Sequence, residues 1–524
     1  METDNIPGGT LRISLANISQ KIILALFYMI LTKTNALTQT DIGILSVLSF
    51  IAAAFPLLTQ LSLPTALTKF TSEKLGKNQQ EEAAAVQKTI TKIVVTLSLA
   101  GLVIVTLSSQ LLSEYFWNKP EYAFLIVMMI VYAFVSNILA LCGSTLQALH
   151  LFGKMATLTI TFIFSSRIIA LTLALLHLGV AGVVIGHVIG SIITVAIAVG
   201  FLRGKLPKTS KNTPLKPLLH FSLPLVLGAI SALVLNWADV MLMATLTTDY
   251  ASTGIYYIVI RSVGTLAILW TPMMTTIFPA ISARNGLENP KSISSILRTT
   301  SRYLIYIILP SCLGLAIIAP TALTFFYGPG YADGAIPLTI LSIATIIIAL
   351  YSLFATTLTA IGKTGQILKI NIVSALSTVL LLIALVPFFE TIGAAFARLT
   401  TQIIGLLLAI YILHKEIRIQ LDRDALWKAA VASAATVPFL VFFELFISTR
   451  LPTTQTLIIE ILTAAGIYVL FLYILRALKR QDFDLLRQAF PTPLAKYINI
   501  LEGIMVRKPP TSSMRVHYEE YENK

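Results

Sequence analysis

Leu146-Gln-Ala-Leu-His-Leu-Phe-Gly153 and Leu358-Thr-Ala-Ile-Gly-Lys-Thr-Gly365 close two apolar runs and sit 212 positions apart. Leu, Ala and the trailing Gly coincide at that one offset. Gly43 in Asp41-Ile-Gly-Ile-Leu and Gly254 in Thr253-Gly-Ile-Tyr-Tyr are 211 apart, as are Gly182 and Gly393, while Gly76 and Gly286 are 210 apart. The chain therefore reads as a duplication whose unit holds six apolar runs. Six is even, so both copies share one orientation. Such parallel repeats are related by an axis along the membrane normal, and transporters place their substrate at the interface between them.

Working outward from these anchors, fourteen apolar runs can be drawn: 13–33, 41–68, 89–110, 122–149, 156–177, 180–202, 218–246, 252–281, 300–320, 335–361, 366–387, 391–413, 429–448 and 455–475. Each is long enough for a membrane helix, which needs roughly 20 apolar residues. The 524 residues are 56% apolar and 12% charged, where a soluble domain carries roughly 25% charged residues. Mean hydropathy is +0.84. A water-soluble globule could not cover that much apolar surface. The expected fold class is an all-α polytopic membrane protein with about fourteen transmembrane helices, in two pseudo-symmetric six-helix lobes plus two extra helices.

Charge supports this count. The loops expected on one side carry twenty-one Lys and Arg, among them Lys69, Lys74, Lys88, Lys205, Lys211, Arg284, Lys363 and Lys415; the opposite loops carry Lys33, Lys119 and Arg450. Cytoplasmic loops collect Lys and Arg, which places both termini in the cytoplasm. The net charge of +14 then belongs to those loops, and nucleic acid is not an expected partner. Cys142 and Cys312 lie inside apolar runs and suggest neither a disulfide nor a metal site. The first run contains Asn17, Gln20 and Lys21, a poor signal-peptide core, so a retained first helix is expected.

The expected organisation is an N-lobe over 1–203, a cytoplasmic linker over 204–217 and a C-lobe over 218–414. Helices 13 and 14 follow within 415–478, then an amphipathic interfacial tail over 479–508 and a disordered tail over 509–524. In the amphipathic tail Phe483, Leu486 and Phe490 share one face, as do Leu494, Tyr497, Ile498, Leu501 and Met505, with Arg487 and Lys496 near headgroups.

A charge at the bilayer centre costs roughly 2.5–3.5 kcal/mol on insertion scales. Lys21, Arg167, Arg261 and Arg398 all fall well inside apolar runs, at a combined cost of ~10 kcal/mol if they face lipid. They are expected to face a wet cavity or a partner. At 1.5 Å rise per residue, Arg261 lies ~14 Å and Asp239 and Arg398 ~10 Å below the outer helix ends. His187 is 211 positions before Arg398, and Asn17, Gln20 and Lys21 share a face of helix 1. A base-lined chamber suits phosphate or pyrophosphate, to which Arg bonds bidentately. Each Arg could instead tie helices together through carbonyls or Asp239. For Asp239 two roles stay open, coupling to a cation (H+ or Na+) or acting as counter-ion to Arg261. Pro224, Pro272 and Pro279 flank the interface as hinges or static kinks. No cofactor or metal is expected.

Leu63-Pro-Thr-Ala-Leu-Thr-Lys-Phe70 with Glu73-Lys-Leu-Gly-Lys77, Asp239, Gly254-Ile-Tyr-Tyr257, Arg261 and Phe278-Pro-Ala-Ile-Ser282 resemble the oligosaccharide flippases. These form the polysaccharide-export branch of the multidrug/oligosaccharidyl-lipid/polysaccharide exporter superfamily. The resemblance covers helices 1 to 12. It implies two lobes around a V-shaped cavity and export of a lipid-linked oligosaccharide on a polyprenyl or dolichyl diphosphate to the outer leaflet. The lipid tail would stay in a lateral opening, and Asp239 and Arg261 carry over as motif positions. The other expected partners are membrane lipids and glycan-assembly enzymes, the expected unit is a monomer, and the expected location is the plasma membrane.

Two other readings compete. A multidrug or metabolite exporter of the same fold predicts an acidic or aromatic cavity for cations. A polytopic glycosyltransferase or polymerase needs clustered acids in sizeable outer loops, whereas Asp41, Glu114, Glu121, Asp249, Asp333 and Glu390 are scattered singly. The expected protein is not an enzyme.

Overall fold

The computed structural model describes residues 6–247, 249–287, 290–417, 419–447, 450–478 and 502. The expected amphipathic and disordered tails lie outside the described residues apart from Glu502, as does the side chain of Asn17. All regular elements described are helical, and eleven helical segments are long and apolar enough to cross a bilayer.

The first half runs α1 (Ile6–Lys33), α2 (Gln39–Gln60), α3 (Leu63–Gly76), α4 (Gln80–Leu107), α5 (Ser109–Trp117), α6 (Ala123–Ala148), α7 (Phe152–Leu173) and α8 (Gly179–Leu202). The second runs α9 (Leu215–Leu246), α10 (Tyr250–Thr265), α11 (Thr271–Gly286), α12 (Pro290–Ile317), α13 (Ala319–Tyr327), α14 (Ala335–Ala360) and α15 (Thr364–Glu416). α16 (Arg423–Phe446) and α17 (Thr453–Ile474) follow. α15 folds back at Glu390, whose φ is 45°, between the runs 366–387 and 391–413. α7 and α8 turn at His177 and Gly179, both with positive φ.

Two expected single helices are broken, and at equivalent places in the repeat. The run 41–68 divides into α2 and α3 at Leu61 and Ser62, both in the left-handed region (φ 49° and 55°). Pro64 then sits in the first turn of α3, where its missing N–H costs nothing. The run 252–281 divides into α10 and α11 through a tighter turn over Leu266–Leu269, and Pro272 starts α11 in the same way. Pro272 is therefore a helix-start residue, while Pro224 and Pro279 lie inside α9 and α11. The short helices α5 and α13 lie outside the longer apolar runs and are repeat partners, 210 positions apart. The linker ends earlier than expected, because α9 begins at Leu215.

Small residues set the packing. Gly182, Gly186 and Gly190 form one stripe on α8. A Cβ on Gly186 would lie 2.3 Å from Ala170 Cα, and one on Gly190 2.3 Å from Ser166 Cα. Close backbone approach of this kind is how membrane helices gain van der Waals contact. The largest buried cluster joins Ile42, Val47 and Leu48 of α2 to Tyr256, Ile258 and Val259 of α10, so the halves share one core where these helices begin. That end carries Lys33 and Lys119 and is taken as outer from the positive-inside rule.

The linker is strapped along α4. Lys88 donates to the carbonyls of Thr209 and Ser210 at 3.2 and 3.1 Å, and Lys211 pairs with Glu81 at 2.8 Å. The Lys211 ammonium holds the Glu81 carboxyl below the usual carboxylate range.

Candidate functional site

A cavity of about 780 Å³ lies between the halves. α1, α2, α3, α9, α10, α14 and one residue of α15 form its walls. Lys21, Arg261 and Arg398 are its basic residues, Gln60 and Asn236 its amides, and Trp237 and Trp270 its large aromatic surfaces. No acidic residue is among the described lining side chains.

Arg261 is built in by its own helix. Tyr257 stands one turn earlier on the same face, and Arg261 Nη2 donates to its hydroxyl at 2.7 Å. The guanidinium lies 4.5 Å from the Tyr257 ring and 5.3 Å from that of Trp237, cation–π contacts that offset part of the cost of taking it out of water. Tyr257 reaches the other half, its hydroxyl 3.2 Å from that of Tyr28. Arg261 Nε is buried and has no hydrogen-bond partner among the described residues.

Arg398 also lines the cavity, with Asp239 behind it. The two form an ion pair, and the carboxylate is 4% exposed. Tyr256 donates a hydroxyl hydrogen bond to the same carboxylate at 3.3 Å. Of the two roles left open for Asp239, the one as counter-ion to Arg261 is corrected: Arg398 comes across from α15 to α9 to pair with it, while Arg261 turns to Tyr257 and Trp237.

Lys21 lines the cavity from α1. Gln20, one position along, is exposed and absent from the lining. Arg167 and His187 differ from the expected chamber position as well. The glycine stripe of α8 docks against α7 and sets His187 beside Arg167. His187 Nδ1 donates to the Val183 carbonyl at 2.6 Å, which leaves Nε2 to accept from Arg167 Nη1. The guanidinium also rests 4.9 Å from the Phe27 ring. This pair ties α1, α7 and α8 together off the cavity lining. None of Pro224, Pro272 and Pro279 lines it either; Pro56 and Pro64 do.

The outer end is shut. A Cβ on Gly43 would lie 1.9 Å from the Tyr250 carbonyl oxygen, so only glycine permits this contact between α2 and α10. Gln39 Nε2 donates to the Gly330 carbonyl, and the rings of Trp117 and Tyr250 lie 6.2 Å apart. At the opposite end Phe70 of α3 meets Phe221 of α9 at 5.7 Å, with Lys69 over the Phe221 ring at 4.1 Å.

The family model described as "Polysaccharide biosynthesis protein" matches residues 8–284, more than half of the chain. The chain belongs to this polysaccharide biosynthesis protein family. Two curated proteins of Haloferax volcanii are similar in sequence. One is the probable low-salt glycan biosynthesis flippase Agl15, 20% identical over 245 residues, 47% of this chain and 51% of that protein. The other is the probable flippase AglR, 22% identical over 186 residues, 35% of this chain and 39% of that protein. The matches thus span about half the length of these relatives or less.

Among solved structures, the lipid II flippase MurJ in an inward closed conformation superposes with a TM-score of 0.72 at 18% identity, over 88% of this chain and 98% of that one. The multidrug transporter DinF-BH of the MATE type superposes at 0.58 with 15% identity, over 82% and 99%. These likenesses show the fold alone, a multi-pass, all-helical membrane architecture.

For this member of the polysaccharide biosynthesis family, sequence reasoning missed Trp237, Trp270, Gln60 and Asn236. Gln60 and Asn236 are uncharged polar residues within apolar runs, a signal that a search for charge alone passes over. Gln60 also donates to Asn137 Oδ1 at 2.7 Å, and Asn137 Nδ2 to Thr59 and Ser98 at 2.8 Å each. The amide is therefore fixed from behind.

Proposed function

We propose that this protein is a flippase that carries a lipid-linked oligosaccharide, on a polyprenyl or dolichyl diphosphate, from the cytoplasmic to the outer leaflet of the plasma membrane. The observation that carries this reading is the cavity between the halves, lined by Lys21, Arg261 and Arg398 and shut at its outer end. A diphosphate brings negative charge and oxygen acceptors, which suit the guanidinium groups of Arg261 and Arg398 on the cavity wall. Trp237 and Trp270 offer faces on which sugar rings stack. The lipid tail stays in the bilayer beside α1, whose described packing on α10 is at the outer half, around Tyr28 and Tyr257. Family membership and the named flippases among the relatives support the same reading.

Transport then proceeds by alternating access of the two halves, with fourteen crossings, both termini in the cytoplasm and the monomer as the working unit. The protein moves its substrate without changing it and is not an enzyme. Asp239 serves as the counter-ion of Arg398. Release of that pair by H+ or Na+ is the route by which an ion gradient would enter the cycle.

The multidrug-exporter reading shares the fold. A cavity lined by three bases repels the cations such exporters favour, so the glycolipid reading is preferred. Deleting the gene tests it: a lipid-linked glycan should accumulate on the cytoplasmic face and return to normal on complementation. An unchanged pool of lipid-linked glycans contradicts the proposal.

A further inference from the structure

Two carboxyl groups lie well away from the cavity, in the helix pair that follows the duplication. Glu460 of α17 is 0% exposed, and neither of its carboxyl oxygens has a conventional hydrogen-bond partner. Its carboxyl faces that of Glu444 on α16, close enough for one proton to bridge them. The surroundings are apolar: Leu440 and Leu457 pack here with Ile318 and Ala322.

The two acids differ in setting. Glu444 is half-buried and accepts the Thr321 hydroxyl, which lies 3.0 and 2.8 Å from its two oxygens. Thr321 is in the first turn of α13, whose N-terminal dipole favours an anion. Glu460 has neither aid. Its own helix carries no other Asp, Glu, Lys, Arg or His, and neither does α13. The remaining charges of α16, Arg423, Asp424 and Lys428, stand sixteen or more residues from Glu444, ~24 Å along the helix. On α12 the nearest charge, Arg302, is fifteen residues from the outer end. Arg450, in the connection between α16 and α17, is exposed, and Lys33 of α1 lies over the Phe325 ring at 4.6 Å. A carboxylate without a counter-charge in such a place costs several kcal/mol, whereas a carboxylic acid donating to a neighbouring carboxylate satisfies both groups.

We propose that Glu460 and Glu444 form a proton-binding site between α16 and α17, separate from the transport cavity. Glu460 holds the proton and donates it in a hydrogen bond to the Glu444 carboxylate. On release the proton passes to water at the outer end, and two adjacent carboxylates remain, whose repulsion loosens α17 from α16 and α13. Outer acidity thereby governs how firmly the extra helix pair docks on the second half. This inference goes beyond the flippase reading and does not rest on it.

Infrared difference spectroscopy of the full-length protein in lipid bilayers tests the site. Subtracting Glu460→Gln from wild type at neutral pH should show the loss of a protonated-carboxyl C=O band that shifts in heavy water. Subtracting Glu444→Gln should show the loss of carboxylate bands. Loss of carboxylate bands on Glu460→Gln would overturn the proposal. Labelling of the wild-type protein with dicyclohexylcarbodiimide, which attacks protonated carboxyls, needs no variant. The label should appear on the peptide containing Glu460 and decline as pH rises. Protection by sodium at constant pH would show a metal cation in place of the proton and equally overturn it.

Discussion

Gly43 and Gly254, 211 positions apart in the chain, touch: a Cβ on Gly254 would lie 2.8 Å from the Gly43 amide nitrogen and 2.0 Å from the Gln39 carbonyl oxygen. Residues related by an internal repeat can meet each other only on the axis that relates the copies. The pair therefore marks the pseudo-symmetry axis and closes the outer end of the cavity at the same point.

That contact has no room for a methyl group. Gly254→Ala should open the outer end, because overpacking of this kind costs about 1–3 kcal/mol, enough to shift a two-state balance roughly fivefold to a hundredfold. Spin labels at the exposed residues Tyr115 of α5 and Phe326 of α13 read the separation directly. The distance distribution should lengthen in the variant relative to wild type, and transport should fall.

Arg398 and Asp239 should be worth far more together than apart. Arg398→Ala leaves the buried Asp239 carboxylate without its main partner, and breaking a buried pair costs about 3–5 kcal/mol. Arg398 retains some exposure, which points to the lower end of that range. The double variant Arg398→Leu with Asp239→Leu should recover much of the loss. Thermal unfolding of the four proteins in one detergent gives the coupling energy.

Arg167 and Arg261 look alike in the sequence and should behave differently. Arg167→Gln weakens the packing of α1, α7 and α8, so it should lower thermal stability while leaving transport per folded molecule close to wild type. Arg261→Gln should do the reverse. Transport normalised to the folded fraction separates the two.

Asp249 caps α10 from outside the bilayer, accepting from the Ala251 and Ser252 amides at 2.9 and 3.2 Å and from the Ser252 hydroxyl at 2.6 Å. The Ser252 hydrogen bonds hold its carboxyl below its ordinary value. A depressed value means that the stabilisation is fully present above the ordinary carboxylate range and is lost as pH falls below it. Asp249→Ala should therefore cost about 1 kcal/mol near neutrality, and its unfolding temperature should converge on wild type in acid.

The duplication and most helix positions were legible because apolar length and glycine spacing are properties of one strand of sequence. Gly43, Gly254, Gly182 and Gly393 all proved to sit at close contacts. The breaks after Gln60 and after Thr265 were not legible. Leu61, Ser62 and Leu266 carry no strong breaking signal, and Pro64 and Pro272, which start the helices that follow, fit a kink within one helix equally well. Pairing was also hidden. Depth along a helix follows from residue counting, but rotation about the helix axis depends on neighbours. Hence Lys21, Arg261 and Arg398 were placed on the cavity, whereas Arg167 and His187, at similar depth, turned to each other.

The central claim is that the base-lined cavity carries a diphosphate headgroup across the membrane. The most direct measurement is the leaflet distribution of a fluorescent polyprenyl-diphosphate glycan in vesicles holding the purified protein. Wild type should move the label between leaflets, and Arg261→Gln combined with Lys21→Gln should not, with both proteins equally folded. Movement at the wild-type rate by that double variant would contradict the account.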